Sequence, residues 1–319
     1  MQQTLNNQHE NILHNELINL FHRSNLPMYF NRKGNKQFTN YQRVALIILF
    51  RRSKKSLRDF VNEMNELRWT SWLGLKKIPS KSVLHNWLNQ FKMKTIRQLL
   101  KLLLPKEIEL AAIDGTGIDS WQRSRHYEKR INETHMPYAK ADLFVDVKSR
   151  RILDFSLVCK HQHDVIAAEQ IFKRFKLRGM IILADKGYDS EKLHELVRNK
   201  KGILYAPVRK SKRKRPKGRF RRECVELPEF MGQRSIVENV NSVLKGRRIT
   251  SLSSKKVFMK QREFGWHVVL YNLVKIVEER SKFSDDNENS FFVLQIETYV
   301  ILDNASLWKV LYREMGMDK

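Results

Sequence analysis

Two short, largely apolar runs in the middle of the chain, IELAAID and GMIILAD, end in aspartates, Asp114 and Asp185, with glycines close behind at Gly115 and Gly187. Runs of that kind read as strands of a covered sheet. An acidic residue ending such a strand reaches the carboxyl edge, where open α/β sheets hold their ligands. Each aspartate taken alone also fits a turn or helix-cap residue. The pair asks for a shared explanation.

The segments around these runs fix the fold class. KADLFVDVKSRR and ILDFSLVCKH read as adjacent strands joined at a basic turn over Lys148 to Arg151. DVIAAEQIFKRF reads as a helix with Asp164 as its cap, SEKLHELVRNKKG as a second helix ending at Gly202, and ILYAPV as a further strand. Three antiparallel strands followed by alternating strands and helices make a mixed sheet flanked by helices. Asp142 and Asp146 alternate along their strand and are expected to face solvent.

Residues 40–105 carry helical periodicity instead. Asn40 is placed to cap a helix through YQRVALIILFRR, Ser56 one through LRDFVNEMNEL, and Ser80 one through KSVLHNWLNQF. In the last, Val83, Leu84, Trp87, Leu88 and Phe91 share one face and Ser82, His85, Asn86, Asn89 and Gln90 the other. That polar face suits base edges, as in the recognition helix of a helix-turn-helix unit, and equally suits a solvated amphipathic helix. TIRQLLKLLLP follows as a linking helix ended by Pro105. The expected organisation is a helical DNA-binding domain over 1–105, an α/β domain over 106–280 and a C-terminal tail over 281–319.

Charge points to the partner. Lys and Arg number 61 against 34 Asp and Glu, a net +27, and a balance that basic favours a polyanion through counterion release. No apolar run reaches the roughly 18 residues of a membrane span, and the polar start MQQTLNNQHENILHNE lacks a signal-peptide core. Cys159 and Cys224 give neither a disulfide framework nor a four-thiolate zinc site. A reducing cytoplasm, at the nucleoid, is the expected location. Two basic stretches form candidate DNA tracks. One is RKSKRKRPKGRFRR, with Lys212, Arg213, Lys214 and Arg215 at its centre; the other is SWQRSRHYEKR, with Arg123, Arg125 and Arg130 placed to line the mouth of the site. Trp121 lies in the second, as a base-stacking or packing residue. The spacing of His161, His163 and Asp164 suits a metal, but a capped strand-to-helix loop explains it more simply.

The helix from Gln233 carries the remaining carboxylate. At about 100° per residue, Arg234, Glu238, Asn241 and Lys245 fall within about 60° of one another, opposite Ile236, Val237, Val240, Val243 and Leu244. A solvated i,i+4 pair is the plain reading of Arg234 and Glu238. Lys245 lies about 10 Å along the axis from Glu238, at about 1.5 Å per residue. It is too far to serve a metal held by that carboxylate, and suits a flanking phosphate.

With DGTGID, LADKGYDS and the R-x3-E-x6-K helix in this order, residues 40–275 resemble an insertion-sequence transposase of the DDE class, whose catalytic domain is of the RNase H type. The resemblance implies that Asp114, Asp185 and Glu238 are the catalytic carboxylates and metal ligands, with Arg234 and Lys245 on DNA. Phosphodiester cleavage by two Mg2+ ions about 3.5–4 Å apart, or Mn2+ in their place, fits those hard oxygen donors. Asp114 is placed to bridge both ions. The implied enzyme binds terminal inverted repeats, cleaves, and joins a 3′-hydroxyl to target DNA as a synaptic homodimer. A catalytically inactive DNA-binding derivative and a nuclease without strand transfer are the alternatives. One departure is Met231, where a large branch of the family has tyrosine three residues before the arginine; other branches lack it too.

Overall fold

A computed structural model describes residues 2–30, 36–120, 129–130, 138–209, 216–249 and 251–286. The chain divides into two compact units, one of residues 1–46, 55–85 and 276–319, the other of residues 47–54 and 86–275.

The first unit is helical: α1 (Gln2–Arg23), the first part of α2 (Asn40–Ser53), α3 (Leu57–Glu63), α4 (Trp69–Trp72) and the start of α5 (Lys81–Gln90). On α1, Leu13, Leu17 and Leu20 recur at helical spacing and are buried. This helix lies in a stretch whose many Asn and Gln residues mask the apolar stripe. The start of α2 corrects the expected cap. Thr39 Oγ1 accepts from Gln42 N at 3.2 Å, and Thr39 N donates to Gln42 Oε1 at 2.9 Å, a reciprocal capping box. Asn40, one residue further on, is buried and donates to Pro27 O at 2.8 Å. Ser56 caps α3 as expected, accepting from Asp59 N. Leu84, Trp87 and Leu88 of α5 are buried, with Ser82, His85, Asn86, Asn89 and Gln90 exposed.

The second unit is built on a five-stranded sheet in the order β3-β2-β1-β4-β5, from β1 (Leu110–Asp119), β2 (Tyr138–Asp146), β3 (Ile152–Val158), β4 (Ile181–Ala184) and β5 (Ile203–Tyr205). Only β2 runs against the others, since β1 pairs antiparallel with β2 and parallel with β4. This is the expected mixed sheet flanked by helices. One face packs on α7 (Asp164–Arg174) and α8 (Glu191–Asn199): Ala111, Ile113, Phe144, Ile182 and Ala184 share a core with Ala168, Ile171, Phe172, Leu193 and Val197. On the other side, Phe155 meets Phe264 of α11 (Val257–Asp286) edge to face at 5.2 Å.

Residues 86–105, expected with the helical region, belong to the sheet-bearing unit. Here α6 (Met93–Leu102) buries Ile96, Leu99 and Leu100, and Arg97 bonds Asp154 and the Phe155 carbonyl of β3. A linking helix with such an apolar stripe gains more by covering a sheet than by spanning solvent.

Burial also corrects the two strand aspartates. Asp142 is fully buried and Asp146 is 3% exposed, because β2 is flanked by β1 and β3 and its residues are covered on both faces. Asp146 is satisfied by the Ser149 amide and hydroxyl at the turn, where Arg150 takes a positive φ of 57°. Asp164, expected as a cap, is the first residue of α7 and pairs with Lys140; the cap position is His163, which makes no side-chain cap bond.

Candidate active site

Sheet register brings the two aspartates together. The last paired residues of the parallel strands are Ile113 and Ala184, so Asp114 and Asp185 are the next residues on neighbouring strands, which run about 4.8 Å apart. Asp114 is not the end of β1 as expected. The strand continues to Asp119 on β2 alone, pairing Gly115 with Asp142 and Gly117 with Lys140. Asp185 caps a tight 3-10 turn over Lys186–Tyr188, its Oδ1 accepting from Gly187 N.

Glu238 arrives on α10 (Ser235–Val243), which buries Val237, Val240 and Asn241 against the sheet. Arg234 Nη2 lies 2.7 Å from Glu238 Oε1, and the Glu238 side chain is 53% exposed. Both act on Asp114. Burial raises the Asp114 pKa most; the Gly115 amide and Arg234 lower it, while Asp185 and Glu238 raise it. The structure therefore gathers Asp114, Asp185, Glu238 and Arg234 in one electrostatic neighbourhood.

Asn241 departs from the expected exposed face. It is 5% exposed, with its Oδ1 buried and without a hydrogen-bond partner among the described residues. Val237, Val240, Asn241 and Leu244 follow the i, i+3, i+4, i+7 stripe that faces a core, and Asn241 lies within it. Lys245 is exposed. It stands on a π-helical turn over Leu244–Arg248 rather than on α10, so its direction is no longer that of a straight helix. Arg130 is exposed; Arg123, Arg125, Trp121, Lys212, Arg213, Lys214, Arg215 and the tail beyond Asp286 lie outside the described residues.

A cleft of about 460 Å³ opens beside the aspartates, lined by Asp114, Gly115, Thr116, Gly117, Tyr138, Lys140, Lys160, His161, Gln162, Asp164 and Asp185. The sequence reading missed Lys140, which pairs with Asp164 and donates to Gln162 O at 2.8 Å. It also missed Tyr188, whose hydroxyl donates to Asp142 Oδ1 at 2.9 Å. The available signal was a charge inside an otherwise apolar strand.

The Asp185 turn is braced from behind. Asp189, its side chain fully buried, accepts from Nε and Nη2 of Arg221 on α9 (Arg219–Glu223), both at 2.6 Å, and from Arg209 N at 2.8 Å. Arg209 also bonds the Lys186 carbonyl. One carboxylate thus ties residues near both ends of a basic stretch to the turn carrying Asp185.

Gly187 is required by crowding. A Cβ there would overlap the Asp164 carboxylate and lie 2.9 Å from Asp185 Oδ1. Gly187→Ala is expected to displace both carboxylates while the far-ultraviolet circular dichroism stays that of wild type. A crystal structure of the variant with Asp164 and Asp185 unmoved would contradict this.

Burial raises the Asp142 pKa to about 6 from 3.8, against the lowering influence of Lys140 and the Tyr188 hydroxyl. The unfolded carboxyl ionises more easily than the folded one, so its contribution to stability is complete below about pH 4 and is lost as pH rises through about 6. Asp142→Asn keeps an acceptor for Tyr188 and removes the charge. At pH 7 and without metal it is expected to stabilise the protein by roughly 2–3 kcal/mol, at about 1.4 kcal/mol per pKa unit. In urea unfolding the gain should vanish below about pH 4.

A family model described as "Transposase DDE domain" matches residues 105–273, and the chain belongs to that family. It is a transposase by family, in a class of enzymes that cleave DNA and transfer strands and that generally use divalent metal ions. Among solved structures it is similar to a cryo-EM structure of a piggyBac transposase synaptic complex with hairpin DNA, at 12% identity and a TM-score of 0.47, covering 83% of this chain and 72% of that one. No curated protein matches.

Among the described residues, no group of three His, Cys, Asp or Glu side chains stands close enough to hold a metal ion by itself. The donors nevertheless suit one. Asp114 is half-buried and repelled by Asp185 and Glu238, a repulsion that a divalent cation relieves, and carboxylate oxygens are the donors Mg2+ takes. Glu238 is drawn to Arg234 in this state. No helix among the described residues is long and apolar enough to cross a membrane.

Proposed function

We propose that the chain binds the terminal inverted repeats of a mobile element, cleaves the DNA strand at the element's ends and joins the freed 3′-hydroxyl to target DNA, acting as a homodimer. The observation that carries this reading is the strand register that sets Asp114 beside Asp185 at a polar cleft, with Glu238 near enough to repel Asp114. In this proposal Asp114, Asp185 and Glu238 would hold two Mg2+ ions, or Mn2+ in their place. Bound there, the metal activates the attacking oxygen and stabilises the leaving one. Arg234 is placed to neutralise Glu238 until DNA arrives and then to hold the strand. Lys245, exposed beyond it, meets a flanking phosphate. The polar face of α5 supplies repeat recognition, and the basic stretches around Arg123, Arg125 and Arg130 and around Lys212 to Arg215 extend the DNA track.

The test is a strand-transfer assay with a labelled oligonucleotide bearing an element end. The expected result is metal-dependent shortening together with longer, joined products. Shortened products alone would make the chain a nuclease. Binding with no cleavage would make it an inactive derivative.

A further inference from the structure

The cleft beside Asp114 and Asp185 has two chemically different parts. One presents carboxylates. The other presents donors: Lys140, Lys160, His161 and the carboxamide of Gln162, on the loop between β3 and α7 and on the opening residues of β2. Gln162 Nε2 is buried and meets no acceptor among the described residues, a cost that an incoming oxygen removes. Lys140 is anchored by Asp164 and the Gln162 carbonyl, which holds the 160–163 loop against the sheet. Between the two parts the floor is Gly115 and Gly117, where β1 presents backbone without side chains. A Cβ at Gly115 would come within 3.2 Å of Asp142 Oδ1 and 3.4 Å of Lys140 Cε, so a side chain there would press on the lysine that anchors the loop.

We propose that Lys140, Lys160 and the Gln162 carboxamide form a phosphate subsite, which grips a backbone phosphate of the DNA strand adjacent to the scissile bond held over Asp114 and Asp185. The subsite rests on the transposase reading above and deepens it. Ammonium and carboxamide donors reject a cation and accept anionic oxygens. Lys160 is the outer, exposed contact; Lys140 is the inner one, and Asp164 keeps its ammonium in place.

The test is the salt dependence of binding to an element-end duplex with metal omitted, for the full-length chain and for Lys160→Ala and Gln162→Ala. Lys160→Ala is expected to lower the slope of log Kd against log salt by about 0.9, the value of one duplex phosphate contact. Gln162→Ala should weaken binding roughly 10- to 100-fold with no change in slope, as for a lost hydrogen bond to a charged group. Lys160→Arg should restore the wild-type slope, which a role confined to loop packing would not require. If wild type binds and cleaves while Lys160→Ala keeps its slope and Gln162→Ala its affinity, the subsite is wrong. If wild type neither binds nor cleaves element ends, the transposase reading fails and the subsite falls with it.

Discussion

Asp185→Asn is expected to abolish metal-dependent DNA cleavage while leaving duplex binding close to wild type. The carboxylate stands beside Asp114 through the strand register and raises its pKa by repulsion. Replacing it by a neutral amide removes a hard anionic donor where the charge of a divalent ion must be balanced. A lost metal contribution of several kcal/mol amounts to about a thousandfold or more in rate. The fold should survive, since an asparagine Oδ1 can still accept from Gly187 N and cap the turn. Single-turnover cleavage measured alongside filter binding separates the two effects. Cleavage within tenfold of wild type would remove Asp185 from the site.

Glu263→Ala is expected to cause the largest loss of stability. Glu263 is 2% exposed on α11 and pairs with Arg51 Nη1 at 3.3 Å, itself 9% exposed. It also accepts from Ser253 N, Ser253 Oγ and Ser254 N, which pins the segment that follows the π-helical turn carrying Lys245. Burial already lowers the Arg51 pKa and Glu263 counters it. Removing one partner of such a pair strands the other charge, a change that costs about 3–5 kcal/mol. Urea unfolding of the variant should show that loss. Glu263→Gln, which keeps acceptors for the two serines, should lose less. Equal stability for wild type and Glu263→Ala would mean that Arg51 finds water or another partner.

How much of this was legible in the sequence depended on whether a residue's neighbours lie close in the chain. Asp114 and Asp185 were readable because apolar runs mark covered strands and a carboxylate at their end is conspicuous. Their pairing through Ile113 and Ala184 is a property of register between distant segments. The continuation of β1 through Gly115 and Gly117 was missed, since glycine carries no strand signal and only β2 supports it. Asp142 was assigned to solvent by alternation, a rule that assumes one wet face; with β1 and β3 on either side and helices packed on both faces, β2 has none. Asn241 was placed by angle beside Glu238, yet the same angles put it at the edge of the apolar stripe, and packing decided the matter. Lys140 and Asp164 lie 24 residues apart, and nothing local announces their ion pair.

On the proposed function, Asp114, Asp185 and Glu238 close on a pair of metal ions once DNA is bound. Electron paramagnetic resonance of Mn2+ added to the complex of this chain with an uncleavable element-end duplex reads that pair out. A spin-coupled Mn2+ pair that disappears in Asp114→Asn and becomes a single ion in Glu238→Gln is the expected result. A spectrum of uncoupled ions, unchanged by either substitution, would contradict it.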